Sequence, residues 1–248
     1  MPAAVPTRRN ASVAVVGAGD YIGAAIARRF AAEGFSVHGG RRQGEKLAAL
    51  EAEIAAAGGA FTGHSLDARD EAQVAAFLDA ADASAPLDLC IFNVGANVQF
   101  PILETTERVF RKVWEMACYA GFLTGREAAR RMLAHGRGSI FFTGATASLR
   151  GGNGYAAFAS AKAGLRALAQ SMARELAPRN IHVAHLVIDA GVDTEWVRGR
   201  MAEAGRAEPE PDALMRPESI AETYWQLHAQ KRDAWTHELD LRPYGESW

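Results

Sequence analysis

Short apolar runs alternate along this chain with longer Ala- and Leu-rich stretches, and that alternation constrains the fold more than any other feature. Residues 12–17 (SVAVVG) read as a buried strand. A helix over 21–33 follows, stopped by Gly34. Strands over 35–40 and 60–65 flank a helix over 45–57 that ends at Gly58-Gly59. Asp70 can cap a helix over 70–83 ahead of a strand at 87–93. The second half repeats the pattern: a long helical stretch over 104–134, a strand at 138–143, and a helix over 154–176 with Pro178 beyond it. A strand at 181–188, a helix over 218–230 and a last strand at 235–241 complete it. Strands separated by helices need crossover connections, so the expected architecture is α/β. Its sheet is parallel and doubly wound, with helices on both faces.

Composition narrows the class. The 248 residues suit one domain spanning 1–248. Twenty-seven basic against 29 acidic residues leave a net charge of −2, which speaks against a nucleic-acid surface. An apolar share of 49% speaks against disorder. Cys90 and Cys118 lie far apart, without a CxxC or a Cys/His ligand set, so neither a metal site nor a disulfide is expected. No run of 18 apolar residues and no signal peptide is visible, so no membrane partner and a cytoplasmic location are expected. The loop-like stretch 199–217, rich in Glu, Pro and Arg, belongs to an expected substrate flap at roughly 194–217.

The segment Gly17-Ala18-Gly19-Asp20-Tyr21-Ile22-Gly23 joins the first strand to the first helix. A doubly wound sheet binds a dinucleotide pyrophosphate at that turn: glycines let the backbone approach, and the helix N-terminus supplies N–H donors. The second strand ends in Gly39-Gly40-Arg41-Arg42. A carboxylate there would favour NAD, whereas two arginines offer charge-assisted bonds to a 2′-phosphate and favour NADP over NAD. Leu66-Asp67 follows the third strand, where Asp67 can accept from an adenine amino group, and Asn93-Val94-Gly95 follows the fourth. Both lie at the sheet edge where ligands of such folds bind.

The segments VVGAGDYIG, GGRRQGEKL, LDARD, IFNVGAN, GSIFFTGATAS and FASAKAGLRALAQSMARELAPRNIHV, in this order and spacing, resemble the classical short-chain dehydrogenase/reductase family over roughly residues 11–195. The resemblance implies a Rossmann-like sheet of about seven strands in the order 3-2-1-4-5-6-7. It also implies a small-molecule substrate and a homodimer or homotetramer assembled through the two long helices.

The family pattern also implies four catalytic residues, and the chain departs from it at three. The Tyr four residues before a Lys becomes Phe158 before Lys162. The Ser some thirteen residues earlier becomes Ala145, and the Asn of a V-N-x-x-G-x-F pattern becomes Ala117. Tyr21 stands at the second glycine of the G-x-x-x-G-x-G turn, where its ring crowds the pyrophosphate unless it folds outward. A Pro-Gly pair after the sixth strand is replaced by Ile188-Asp189-Ala190-Gly191, and Thr194 fits the family's phosphate- or amide-contacting threonine.

Tyr155 is three residues before Phe158, so on a helix it shares that face and offers a replacement hydroxyl; packing under the loop is its plainer reading. Thr143, Thr146 and Ser148 are further hydroxyl candidates beside Ala145. His182 and His185 read as packed or surface residues, and Trp114, Trp196, Trp225 and Trp235 as core or interface fillers. Two functions stay open. One is an NADP-dependent oxidoreductase with a non-standard site, acting on a carbonyl, an alcohol or an activated double bond. The other is a non-catalytic relative that binds nucleotide or serves as a scaffold.

Overall fold

In a computed structural model, which describes residues 7–246, seven strands form one sheet in the order β3-β2-β1-β4-β5-β6-β7. They are β1 (Ser12–Val16), β2 (Ser36–Arg41), β3 (Ala60–Ser65), β4 (Leu87–Phe92), β5 (Gly138–Thr143), β6 (Ile181–Ile188) and β7 (Glu238–Leu241). All neighbouring strands pair in parallel. The reason is visible in β1. Val13 and Val15 enter the core on one face while Ala14 and Val16 enter the core on the other. A strand apolar on both sides has to be covered on both sides.

The covers are α1 (Ile22–Ala32), α2 (Ala48–Ala56) and α8 (Pro217–His228) on one face, through residues such as Phe30, Ile54 and Tyr224. The other face carries α3 (Glu71–Ser84), α5 (Ala120–His135) and α6 (Ala156–Leu176), through Leu78, Leu123 and Leu165. Asp70 caps α3 as expected, accepting from Gln73 N at 3.1 Å.

Three expected elements differ in detail. The stretch read as one helix over 104–134 begins later, at α4 (Glu107–Trp114), where Thr106 accepts from Val109 N at 3.2 Å. It passes through a π-helical turn, Glu115–Tyr119, before α5, and Gly136 ends it in the left-handed region at φ 70°. The last strand is shorter than 235–241: after a 3₁₀ turn over Arg232–Ala234 the chain enters β7 at Glu238. The flap region is not loop throughout: Thr194 accepts from Val197 N at 3.1 Å and starts α7 (Glu195–Glu203). Cys90 and Cys118 are both free thiols and buried. No described helix is long and apolar enough to cross a membrane.

Candidate active site

Strand order reverses between β1 and β4, and the carboxyl ends of the strands splay apart there. A cleft of about 800 Å³ opens at that edge, and residues of the β1–α1 turn line it together with the ends of β5 and β6 and the start of α6. A smaller pocket of about 200 Å³ shares Gly17, Gly19, Asn93 and Gly95 with the cleft and runs toward the end of β2.

The residues singled out from the sequence divide between these two spaces. Gly17, Gly19, Asp20, Tyr21, Ile22 and Gly23 line the cleft, and so do Ala145, Tyr155, Phe158, Lys162 and Thr194. Arg41, Arg42, Leu66, Asp67 and Val94 line the smaller pocket. Ala117 lines neither. It is fully buried on the π turn, in an apolar cluster with Phe158 and Ala161. π turns inside helices occur often at functional positions. The ring of Tyr21 is partly exposed at the helix start and is also shared with a surface depression beside Arg28 and Glu218.

Backbone geometry explains the glycines of the turn. Gly17 has φ +93°, and a Cβ there would lie 2.6 Å from Asn93 O. The Asn93 side chain closes the same contact, donating from Nδ2 to Gly17 O at 3.1 Å. At Gly19 and Gly95 a Cβ would meet nothing within 4 Å, so both leave bare backbone facing open space.

Lys162 sits at the floor of the cleft and is 3% exposed. Its ammonium donates to Thr143 O at 2.8 Å and to Val94 O at 3.3 Å, joining the ends of β5 and β4. Burial pushes its pKa down to about 8. The Phe158 ring, one helical turn before it, has its centroid 5.9 Å from that ammonium. Tyr155 occupies the residue before α6 without a side-chain cap bond, and its hydroxyl has no hydrogen-bond partner among the described residues.

The other hydroxyls near Ala145 are engaged elsewhere. Ser148 Oγ accepts from Ala145 N at 3.1 Å, and Thr146 donates to Asp189. Thr143 donates to Asn93 Oδ1 at 3.1 Å and, having given its proton there, accepts from Tyr224 at 2.7 Å. This buried relay ties α8 to the β1–α1 turn. Burial holds the Tyr224 hydroxyl well above its usual range, so it stays a donor. Tyr224→Phe removes the bond that Thr143 accepts. The expected cost is about 1 kcal/mol, seen as a melting temperature about 3 °C lower.

In the smaller pocket, Arg41 is paired with Asp20 at 2.6 Å, whereas Arg42 is exposed. Asp67 is gripped by Arg69 through contacts of 2.5 and 2.9 Å, which hold its carboxylate below its usual range. Arg69 also lines the pocket, a position that strand-and-turn reasoning did not single out. The tryptophans separate likewise. Trp225 packs against Phe30, and Trp235 stacks on His182 at 4.8 Å, but Trp196 is 54% exposed and lines the cleft. Trp114 is also partly exposed, stacked on Tyr119. His182 and His185 are both buried, bonded to Thr236 O and to Glu238.

Residues 11–204 match the family model described as short chain dehydrogenase. The chain belongs to the short-chain dehydrogenase family. Among solved short-chain dehydrogenases it is similar to one from Rhodopseudomonas palustris, with 65% identity and a TM-score of 0.83 over 95% of this chain and 100% of that one. A metagenomic short-chain oxidoreductase in complex with NADP shares 26% identity, with a TM-score of 0.80 over 96% and 98% of the two chains. The 3-oxoacyl-acyl-carrier-protein reductase MabA of Mycobacterium tuberculosis is 29% identical over 198 residues, covering 79% of this chain and 74% of that protein.

Proposed function

We propose that this protein is an NADP(H)-dependent oxidoreductase whose proton-handling groups are non-standard. The observation that carries the reading is Lys162, an ammonium buried at the floor of the same cleft that the bare glycine turn lines. The open space at Gly19 and Gly95 fits a pyrophosphate and a sugar held against backbone. Arg41 and Arg42 fit a 2′-phosphate, Leu66 and Asp67 fit the adenine, and Asn93, Val94 and Thr194 fit the nicotinamide half. NADP bound by the metagenomic relative supports the same choice.

The bound nucleotide would supply hydride exchange, and this chain's residues orient the partners and manage protons. Phe158 and Ala145 carry no group that can move a proton or donate to a substrate oxygen. Tyr155 and Tyr21 are the tyrosines that line the cleft, and Tyr155 is the one on the same connection as Ala145, one helical turn before Phe158. Reactions that ask little of an acid, such as reduction of an activated double bond or slow carbonyl turnover, suit this set. In solution we expect a homodimer or homotetramer and a cytoplasmic enzyme.

Titration with NADPH and NADH tests the reading: NADPH should bind more tightly, and failure of both at millimolar concentration sinks it. Affinity should also depend on Lys162. An anionic nucleotide favours the charged ammonium, so binding raises its pKa from about 8. Protons are therefore taken up on binding above neutrality, and affinity should fall as pH rises from 7 to 9.5. Lys162→Met should flatten that profile.

A second reading follows from the engaged hydroxyls around Ala145: a nucleotide-binding relative without turnover. Multiple-turnover reduction that disappears in Tyr155→Phe would exclude it and make Tyr155 the acid.

A further inference from the structure

We propose that Arg150 selects substrates that carry a carboxylate on an apolar body. The inference rests on reading the cleft as an oxidoreductase's substrate site. Arg150 lies on the β5–α6 connection that also carries Ala145 and Tyr155, and it lines the cleft with its side chain 48% exposed. Its one hydrogen-bonded side-chain nitrogen, Nη2, reaches Asp189 at 3.3 and 3.4 Å, beyond the usual range for such bonds. Nε and Nη1 have no partner among the described residues.

Asp189 does not need Arg150 as its main support. Its buried carboxylate accepts from Thr146 and is paired with Arg242 at 2.6 Å. Arg150 is thus held at the cleft wall by a weak tether, with most of its donor fork unsatisfied.

The other charges that line the cleft are committed. Lys162 is bonded to two carbonyls, and Asp20, the acidic residue among the described lining, is paired with Arg41. The remaining wall is largely apolar, with Phe158, Ile188, Val192, Trp196 and Val197 facing the space. A guanidinium fork beside an apolar wall recognises a planar carboxylate with a hydrocarbon attached. One arginine already sharing part of its charge with Asp189 suits a monoanion better than a phosphate dianion.

The test uses benzoate, phenylacetate and hexanoate, their three amides, and phenyl phosphate. Binding is read by calorimetry on nucleotide-free and NADP-saturated protein, so a failure of the nucleotide reading appears separately from a failure of this one. Each carboxylate should bind at least about ten-fold more tightly than its amide, and phenyl phosphate more weakly than benzoate. Arg150→Gln should abolish that preference while leaving amide binding and NADPH affinity unchanged. The proposal is overturned if no carboxylate outbinds its amide or phenyl phosphate outbinds benzoate. It is overturned equally if Arg150→Gln keeps the preference, or if that variant loses NADPH affinity, which would place Arg150 in the nucleotide site.

Discussion

Ala145→Ser combined with Phe158→Tyr should raise NADPH-dependent reduction of small ketones and aldehydes by about 10²–10⁴-fold over the parent protein. The cleft that these side chains line already holds Lys162. A positioned general acid contributes roughly 10²–10⁴ in rate and a donor to the developing oxyanion roughly 10²–10³, but groups that act as a unit do not multiply. The gain expected for the pair is therefore about that of the better single contribution. A tyrosine at 158 would also sit beside the Lys162 ammonium, whose ring contact now measures 5.9 Å. The cation favours the phenolate, so the new activity should show a titration below the ordinary tyrosine range. Rates at 340 nm across pH, with single substitutions as controls, check this. If the double variant binds NADPH as before and gains nothing, proton machinery is not what the cleft lacks. Ala117 and Tyr21 would then be the next positions to change. Ala117 is the harder of the two, because an asparagine in its fully buried place needs new hydrogen-bond partners.

The parallel sheet was legible because its strands are apolar on both faces, and residues such as Val13 and Ala14 carry that information locally. The glycine turn was legible for a related reason: Gly17 and Gly23 stand between a strand and a helix, where a Cβ would clash with neighbouring backbone. What escaped depends on distant partners. Tyr224 meets Thr143 across 81 residues, and nothing in the amphipathic pattern of α8 distinguishes it from a core tyrosine. Arg69 and Arg150 look like ordinary loop arginines until the sheet brings their loops to the same edge. Trp196 reads in the sequence as filler because a tryptophan usually buries its surface. Thr194 starts a helix in the flap and leaves Trp196 on the cleft wall instead. The π turn at Ala117 has no signature in the helical periodicity that runs through it.

Arg42→Ala should weaken NADPH binding by about 10–100-fold and leave NADH binding nearly unchanged, since a hydrogen bond to a charged group contributes about 1.5–3 kcal/mol. The two arginines after β2 are not equivalent. Arg41 donates to Asp20 at 2.6 Å, so a 2′-phosphate must share or displace that partner. Arg42 has no hydrogen bond among the described residues and stands exposed at the pocket, with its donors available. On the proposed nucleotide reading, Arg42 makes the first contact with the phosphate, and Asp20, already paired with Arg41, competes with it for that arginine. Asp20→Asn removes that competitor and should tighten NADPH by a few-fold, a modest effect because Asp20 is largely exposed and screened. NADPH affinity should fall with added salt more steeply than NADH affinity, and the difference should shrink in Arg42→Ala. Parallel titrations of the two nucleotides separate this from a general loss. If Arg42→Ala weakens both equally, Arg42 serves the pyrophosphate, and the preference for NADP then has to come from Arg41 after it leaves Asp20.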